Sequence, residues 1–83
     1  MINQFLRSGT SIGANIREAF YAHGKADFIA KLQIALIECS ETEYWIELLL
    51  ESRYYNDKTL LDNCTEVKRI LISSINTAKE TMK

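Results

Sequence analysis

Apolar residues recur at intervals of three and four along three stretches of the chain, which is the period of an amphipathic helix. Six positions form one stripe in the first stretch: Phe5, Gly9, Ile12, Ile16, Ala19 and His23. Gly24 follows directly, and glycine commonly ends a helix in the left-handed conformation. The pattern therefore predicts a first helix over about residues 2–23.

Apolar residues cover more than one face of the second stretch, which is predicted to be a helix over about residues 26–53. Seven positions form a heptad-like seam: Phe28, Leu32, Ala35, Cys39, Thr42, Ile46 and Leu49. Ile34, Ile37, Trp45 and Leu48 lie off that seam. A helix that buries a single face does not need so wide an apolar surface. We therefore expect this helix to contact two or more neighbours, or another subunit.

A polar break, SRYYNDKT, separates the second stretch from a third helix predicted over about residues 58–81. Asn56 or Asp57 can cap that helix, and Leu60, Cys64 and Leu71 lie on its apolar seam. Short connections between long helices place neighbouring helices antiparallel. The sequence thus predicts an all-α protein, a single up-and-down antiparallel helical bundle over residues 1–83.

Composition and charge narrow the class of protein. The chain has no proline and only three glycines, which suits uninterrupted helices. Its net charge of −1 lacks the basic excess typical of nucleic-acid-binding proteins. No leader or long apolar run is present, so we expect a cytoplasmic protein without a membrane partner.

Five basic residues nevertheless gather on the predicted first and third helices and are candidates for a local nucleic-acid-binding surface: Arg7, Arg17, Lys68, Arg69 and Lys79. Ordinary solubilising charge explains each of them better when it is considered alone.

The sequence carries no recognisable catalytic or cofactor motif. The segment GTSIG lacks the lysine of a Walker loop and the third glycine of a dinucleotide loop, so close helix packing or a kink is favoured at Gly9 and Gly13. A di-iron site needs Glu-x-x-His, but Phe20 stands three residues before His23, the only histidine. Two cysteines without a CxxC motif are predicted to be buried thiols. We expect no cofactor, no metal, no small-molecule substrate and no enzymatic activity.

An apolar centre with a charged border is typical of a subunit interface. Trp45 and its apolar neighbours have such a border in Glu38 and Glu41. Asn15 and Glu18 are polar residues beside an apolar stripe, and partners on another subunit would satisfy them. The predicted interface comprises eight residues: Gly9, Gly13, Asn15, Glu18, Ile34, Ile37, Trp45 and Leu48.

Three segments, LRSGTSIGANIREA, DFIAKLQIALIECSETEYWIELL and ILISSINTAK, resemble the four-helix bundle family related to the intervening-sequence protein of bacterial 23S rRNA genes. The resemblance implies a ring-shaped homopentamer with no established activity. It also implies that the three predicted helices correspond to helices two to four, because only six residues precede Arg7 where the family has a further helix. Cys39 and Ser40 stand where the family pattern leads us to expect Ala and Asn.

Two functional hypotheses follow. The first is a non-enzymatic, self-associating helical bundle that acts as a scaffold or interaction protein. The alternative is an accessory protein that binds RNA or DNA, as the resemblance implies through a relative that serves bacterial diversity-generating retroelements.

Overall fold

Three α-helices make up the computed structural model, which describes residues 2–53 and 57–81. Helix α1 spans Ile2–Phe20, α2 spans Lys25–Glu51 and α3 spans Thr59–Thr81. These described residues contain no strand, so the predicted all-α class is confirmed.

The connection between α1 and α2 differs from the prediction. Helix α1 ends at Phe20, three residues early, where the N–H groups of Tyr21 and Ala22 donate to carbonyls three residues back, at 3.1 and 3.2 Å. Gly24 is not the left-handed end of α1 but the N-cap of α2, with an extended backbone at φ −172°. Its carbonyl accepts a hydrogen bond from the N–H of Phe28 at 3.0 Å. The role predicted for Gly24 is therefore wrong.

A left-handed residue lies instead at the other end of α2. This helix stops at Glu51, and Arg53 has φ 66°. The N–H groups of Ser52 and Arg53 donate to carbonyls of the last helical turn, at 2.9 and 3.2 Å, which satisfies two otherwise unpaired acceptors. An arginine thus occupies a conformation that glycine adopts more readily.

The predicted cap of α3 is partly confirmed. The Asp57 carboxylate accepts the backbone N–H of Thr59 at 2.9 Å and its hydroxyl at 2.6 Å. Asn56, the other predicted cap, lies outside the described residues.

Polar contacts between helices give their directions. Arg7 near the start of α1 pairs with Glu41 late in α2 at 2.9 Å, and Glu18 near the end of α1 pairs with Lys31 early in α2 at 3.1 Å. Helices α1 and α2 therefore run in opposite directions. Helices α2 and α3 do so too, because Lys25 donates to Thr81 at the far end of α3.

Helix α2 lies at the centre and carries the core. It packs against both α1 and α3, whereas no Cα atoms of α1 and α3 approach within 8 Å in the described residues. Five of the seven predicted seam positions are buried: Ala35, Cys39 and Ile46 fully, and Leu32 and Thr42 nearly so. Phe28 and Leu49, at the two ends of the seam, are partly buried. The partners from α3 are Cys64, Leu71 and Ile75.

Candidate interaction surface

A second apolar stripe on α2 faces away from its core seam. It consists of four residues that share one side of the helix, Ile34, Ile37, Tyr44 and Leu48, and we call it the α2 outer face. Ile37 is 66% exposed and Tyr44 is 54% exposed. Ile37 and the buried Cys39 are two residues apart, so at about 100° per residue they point to opposite sides. Helix α2 is thus apolar on both sides, and its partners within the chain cover only one.

Trp45 lies at the edge of the α2 outer face and is half-buried. Its ring meets that of Tyr44 edge-to-face, with the centroids 5.1 Å apart and the planes at 64°. Its Nε1 atom is buried and has no hydrogen-bond partner among the described residues. Such an unsatisfied donor costs about 1–3 kcal/mol.

Two carboxylates of α2, one beside this face and one within it, are tied to α1. Glu41 is seven residues from both Ile34 and Leu48 and therefore lies on the same side of the helix. The Arg7 guanidinium lies 2.9 Å from the Glu41 carboxylate and 4.0 Å from that of Glu38. Ser8, which is fully buried, donates to the same Glu41 oxygen at 3.2 Å. Glu41 is therefore neutralised within the chain.

An open groove separates α1 from α3 on the opposite side, and we call it the α1–α3 groove. Core residues of α2 form its floor, and one section of it encloses about 390 Å³. Phe20 of α1 and Ile70 of α3 line that section and are 79% and 54% exposed. The groove is thus a second uncovered apolar surface.

Gly9 and Gly13 make no close helix contact within the described residues. A Cβ atom built on either would meet no other atom within 4 Å, apart from neighbouring residues of α1. Gly9 lines the α1–α3 groove, so the space beside it is open. The close packing predicted at these glycines is therefore not made with α2 or α3, and it would need a further helix or a second copy of the chain.

Asn15 and Glu18 already have partners in the chain. The Asn15 amide donates to the Ser11 carbonyl at 2.9 Å, one helical turn back. The Glu18 carboxylate pairs with Lys31 at 3.1 Å. Neither side chain needs another subunit as a hydrogen-bond or ion-pair partner. Their polarity is therefore no reason to place them in an interface.

Carboxylates neutralise three of the five basic candidates. Arg7 pairs with Glu41, Lys68 with Glu43 at 2.9 Å, and Arg69 donates to Glu66 at 2.7 Å. The other two, Arg17 and Lys79, have no ion pair in the part of the chain that the structure describes. The five lie on α1 and α3, whose Cα atoms nowhere approach within 8 Å of one another over the described residues.

The Glu43–Lys68 pair joins α2 to α3. Burial raises the pKa of Glu43, but hydrogen bonds from Lys68 and Thr65 outweigh that effect and hold this pKa below its ordinary value. The same hydrogen bond from the Lys68 ammonium raises the pKa of Lys68. Both groups are therefore held in their charged forms.

The two cysteines are buried, as predicted, and they also meet. The sulfur atoms of Cys39 and Cys64 lie 3.5 Å apart between α2 and α3, and both thiols are free. Burial raises the pKa of Cys64 to about 12 and raises that of Cys39 as well. The contact between the two cysteines was not predicted from the sequence, although both residues lie on seams of helices predicted to be antiparallel.

The described residues were also considered as a metal site and as a membrane-spanning segment. Over residues 2–53 and 57–81, no three His, Cys, Asp or Glu side chains cluster as metal ligands would. Within the same ranges, no helix is both long and apolar enough to cross a bilayer.

The arrangement defines an all-helical protein with more apolar surface than its own core uses. The chain belongs to the 23S rRNA-intervening sequence protein family, which it matches over residues 1–73. It is also similar to a crystal structure of a protein of unknown function from the S23 ribosomal protein family of Bacteroides thetaiotaomicron VPI-5482. The two are 54% identical with a TM-score of 0.85, over 88% of this chain and 70% of that one. No curated protein matches.

Proposed function

We propose that this protein is a non-enzymatic scaffold that self-associates through the α2 outer face. The observation that carries the proposal is the two-sided apolar character of α2. A helix that is apolar all round belongs in an interior, and this chain covers only one of its sides. A second copy supplies the missing cover.

Charge supports a second copy as the partner. Glu47 and Glu51 are exposed on α2 and form no ion pair in the described residues. Arg17 and Lys79 are exposed cations that likewise form no ion pair there. One copy therefore offers both signs of charge to another. A ring of five, which the family resemblance implies, needs a head-to-tail contact in which the α2 outer face meets a different surface of the next copy.

Light scattering after size-exclusion chromatography tests the assembly. The wild-type chain is expected to give five times its mass of 9.5 kDa. Ile37→Glu places a charge at the centre of the α2 outer face and should give a helical monomer. Ile72→Glu is the matched control, because Ile72 is 41% exposed on α3 and lies outside this face. A wild-type monomer at micromolar concentration, or an assembly that persists in Ile37→Glu, would refute the proposal.

We also propose that a fourth helix fills the α1–α3 groove and completes a four-helix bundle. The groove is apolar, Gly9 leaves room beside α1, and the similar Bacteroides protein has residues beyond the part matched here. Peptides that span this unmatched part are the probe. One should bind and gain helical circular dichroism, and Ile70→Glu should abolish binding whereas Ile37→Glu should not. Absence of binding to the wild-type chain would contradict this assignment.

The alternative, binding of RNA or DNA, has less support because ion pairs engage Arg7, Lys68 and Arg69. A salt titration with structured RNA and DNA distinguishes the two functions, since phosphate contacts are strongest at low salt. Tight binding at low salt that weakens steeply as salt rises would favour the alternative.

A further inference from the structure

We propose that Cys39 and Cys64 form a reversible intramolecular disulfide that links α2 to α3, with a peroxide as the oxidant. The two residues are the only cysteines in the chain. Neither the family match nor the similar structure assigns them a role. The inference does not depend on self-association, because both residues lie on the core side of α2.

The geometry brings the two sulfurs face to face. They lie 3.5 Å apart, whereas a disulfide bond is about 2.05 Å long, so each sulfur needs to move by less than an ångström. Each thiol also contacts the backbone carbonyl of the opposite residue, at 3.3 and 3.4 Å. These reciprocal contacts orient both side chains toward the contact between the helices.

A small oxidant can reach the pair through the α1–α3 groove when no further helix fills it. Both cysteines line the α1–α3 groove, together with Gly9 and Ile12 of α1. Cys64 is 8% exposed and Cys39 is fully buried. Cys64 is therefore the thiol that meets peroxide first, and Cys39 is the one that resolves the intermediate.

The reaction balances without any further reagent. Because its pKa is raised to about 12, Cys64 is deprotonated in only a small fraction of molecules, so the reaction is slow and becomes faster as the pH rises. In that fraction the proton has passed to solvent, and the sulfur attacks one peroxide oxygen. The O–O bond breaks, and the leaving hydroxide takes up a proton to become water. The sulfur of Cys39 then attacks the resulting sulfenic acid after losing its own proton, the S–O bond breaks, and a second water leaves. Two thiols and one hydrogen peroxide give one disulfide and two waters, and a dithiol reductant reverses the change.

The disulfide should stabilise the native state. The disulfide would close a loop that includes the whole connection between α2 and α3 and would restrict the unfolded chain. We expect the thermal midpoint to rise by about 10 °C or more on oxidation.

Hydrogen peroxide on the folded wild-type chain is the test, read by intact mass, unreduced peptide mapping and thermal unfolding. The expected product is a chain lighter by two hydrogen atoms, with residues 39 and 64 in one linked peptide and a raised midpoint. Cys39→Ala should gain oxygen at Cys64 instead, whereas Cys64→Ala should resist oxidation because Cys39 is fully buried. Neither variant should show a raised midpoint. Their helicity is checked first, and the wild-type result stands alone if either fails to fold.

Three results would overturn the proposal. The first is survival of both thiols under peroxide that oxidises them in urea. The second is a disulfide between chains instead of within one. The third is a midpoint that falls when the internal disulfide forms, which would show that the native packing does not accommodate the bond.

Discussion

Glu43 is the residue whose ionisation matters most for the contact between α2 and α3. Its side chain is 15% exposed and accepts hydrogen bonds from Lys68 and Thr65, both at 2.9 Å. A carboxylate whose pKa is lower in the folded than in the unfolded state stabilises the fold above its unfolded pKa. That contribution disappears as the pH falls through the folded pKa.

Glu43→Gln is expected to lower the free energy of unfolding by about 1 kcal/mol at neutral pH. The difference from wild type should shrink as the pH falls below about 4.5, the ordinary pKa of a glutamate. The wild-type carboxylate then takes up a proton and becomes neutral, as the glutamine is at every pH. Urea unfolding across this pH range measures both effects. Glu47→Gln is the control, since Glu47 is exposed, and an equal loss there would contradict the role given to Glu43.

Sequence periodicity predicts which side chains are buried better than it predicts which polar groups meet. The α2 seam from Leu32 to Ile46 is buried as predicted, because spacing and residue type decide that property together. The partners of Asn15 and Glu18 depend on rotamers and on the offset between two helices. Neither quantity can be obtained from the pattern of one chain.

At the scale of the helices, their number and type could be predicted, but their ends could not. The end predicted for α1 rested on Gly24, yet glycine fits an extended N-cap as well as a left-handed C-cap. The true left-handed residue, Arg53, gives no such indication by its type. Local hydrogen bonds from Tyr21 and Ala22 at the start of the connection end α1 before Gly24 is reached.

Gly24→Ser should raise the free energy of unfolding by about 0.5 kcal/mol. A serine oxygen can accept an N–H of the first turn of α2, where Gly24 provides no side-chain cap, and its Cβ meets nothing within 4 Å. Gly24→Ala lacks that oxygen and separates capping from chain stiffening. Chemical denaturation of the three chains gives the values. A loss of about 1 kcal/mol in both variants would instead indicate a left-handed Gly24.

For the whole molecule, the two uncovered apolar surfaces matter more than any cluster of polar side chains. The excess on α2 could be predicted from the sequence, because apolar residues on two faces of one helix are visible in the pattern. The α1–α3 groove could not be predicted in this way, because it depends on the separation of the two outer helices, whose described Cα atoms stay more than 8 Å apart. A three-helix pattern alone does not reveal that separation.

Trp45→Ala should weaken self-association by about 2 kcal/mol while leaving most of the helix content, if Trp45 anchors the edge of the α2 outer face. Its ring already pairs with Tyr44 of that face. Circular dichroism and light scattering over a concentration series separate the two effects. Tyr21→Ala is the control, because Tyr21 is 77% exposed in the connection after α1. Lost helicity with unchanged association would place Trp45 in the core of one chain.

The separation of α1 from α3 bears on how the chain folds. Over residues 2–53 and 57–81, the close backbone contacts of each outer helix are with α2, its neighbour in sequence, so they are those of two helical hairpins that share α2. Contacts of this local kind allow rapid folding, because little loop entropy is lost before they form. Either hairpin can also open while the other stays closed, and α2 is then the segment that remains ordered longest.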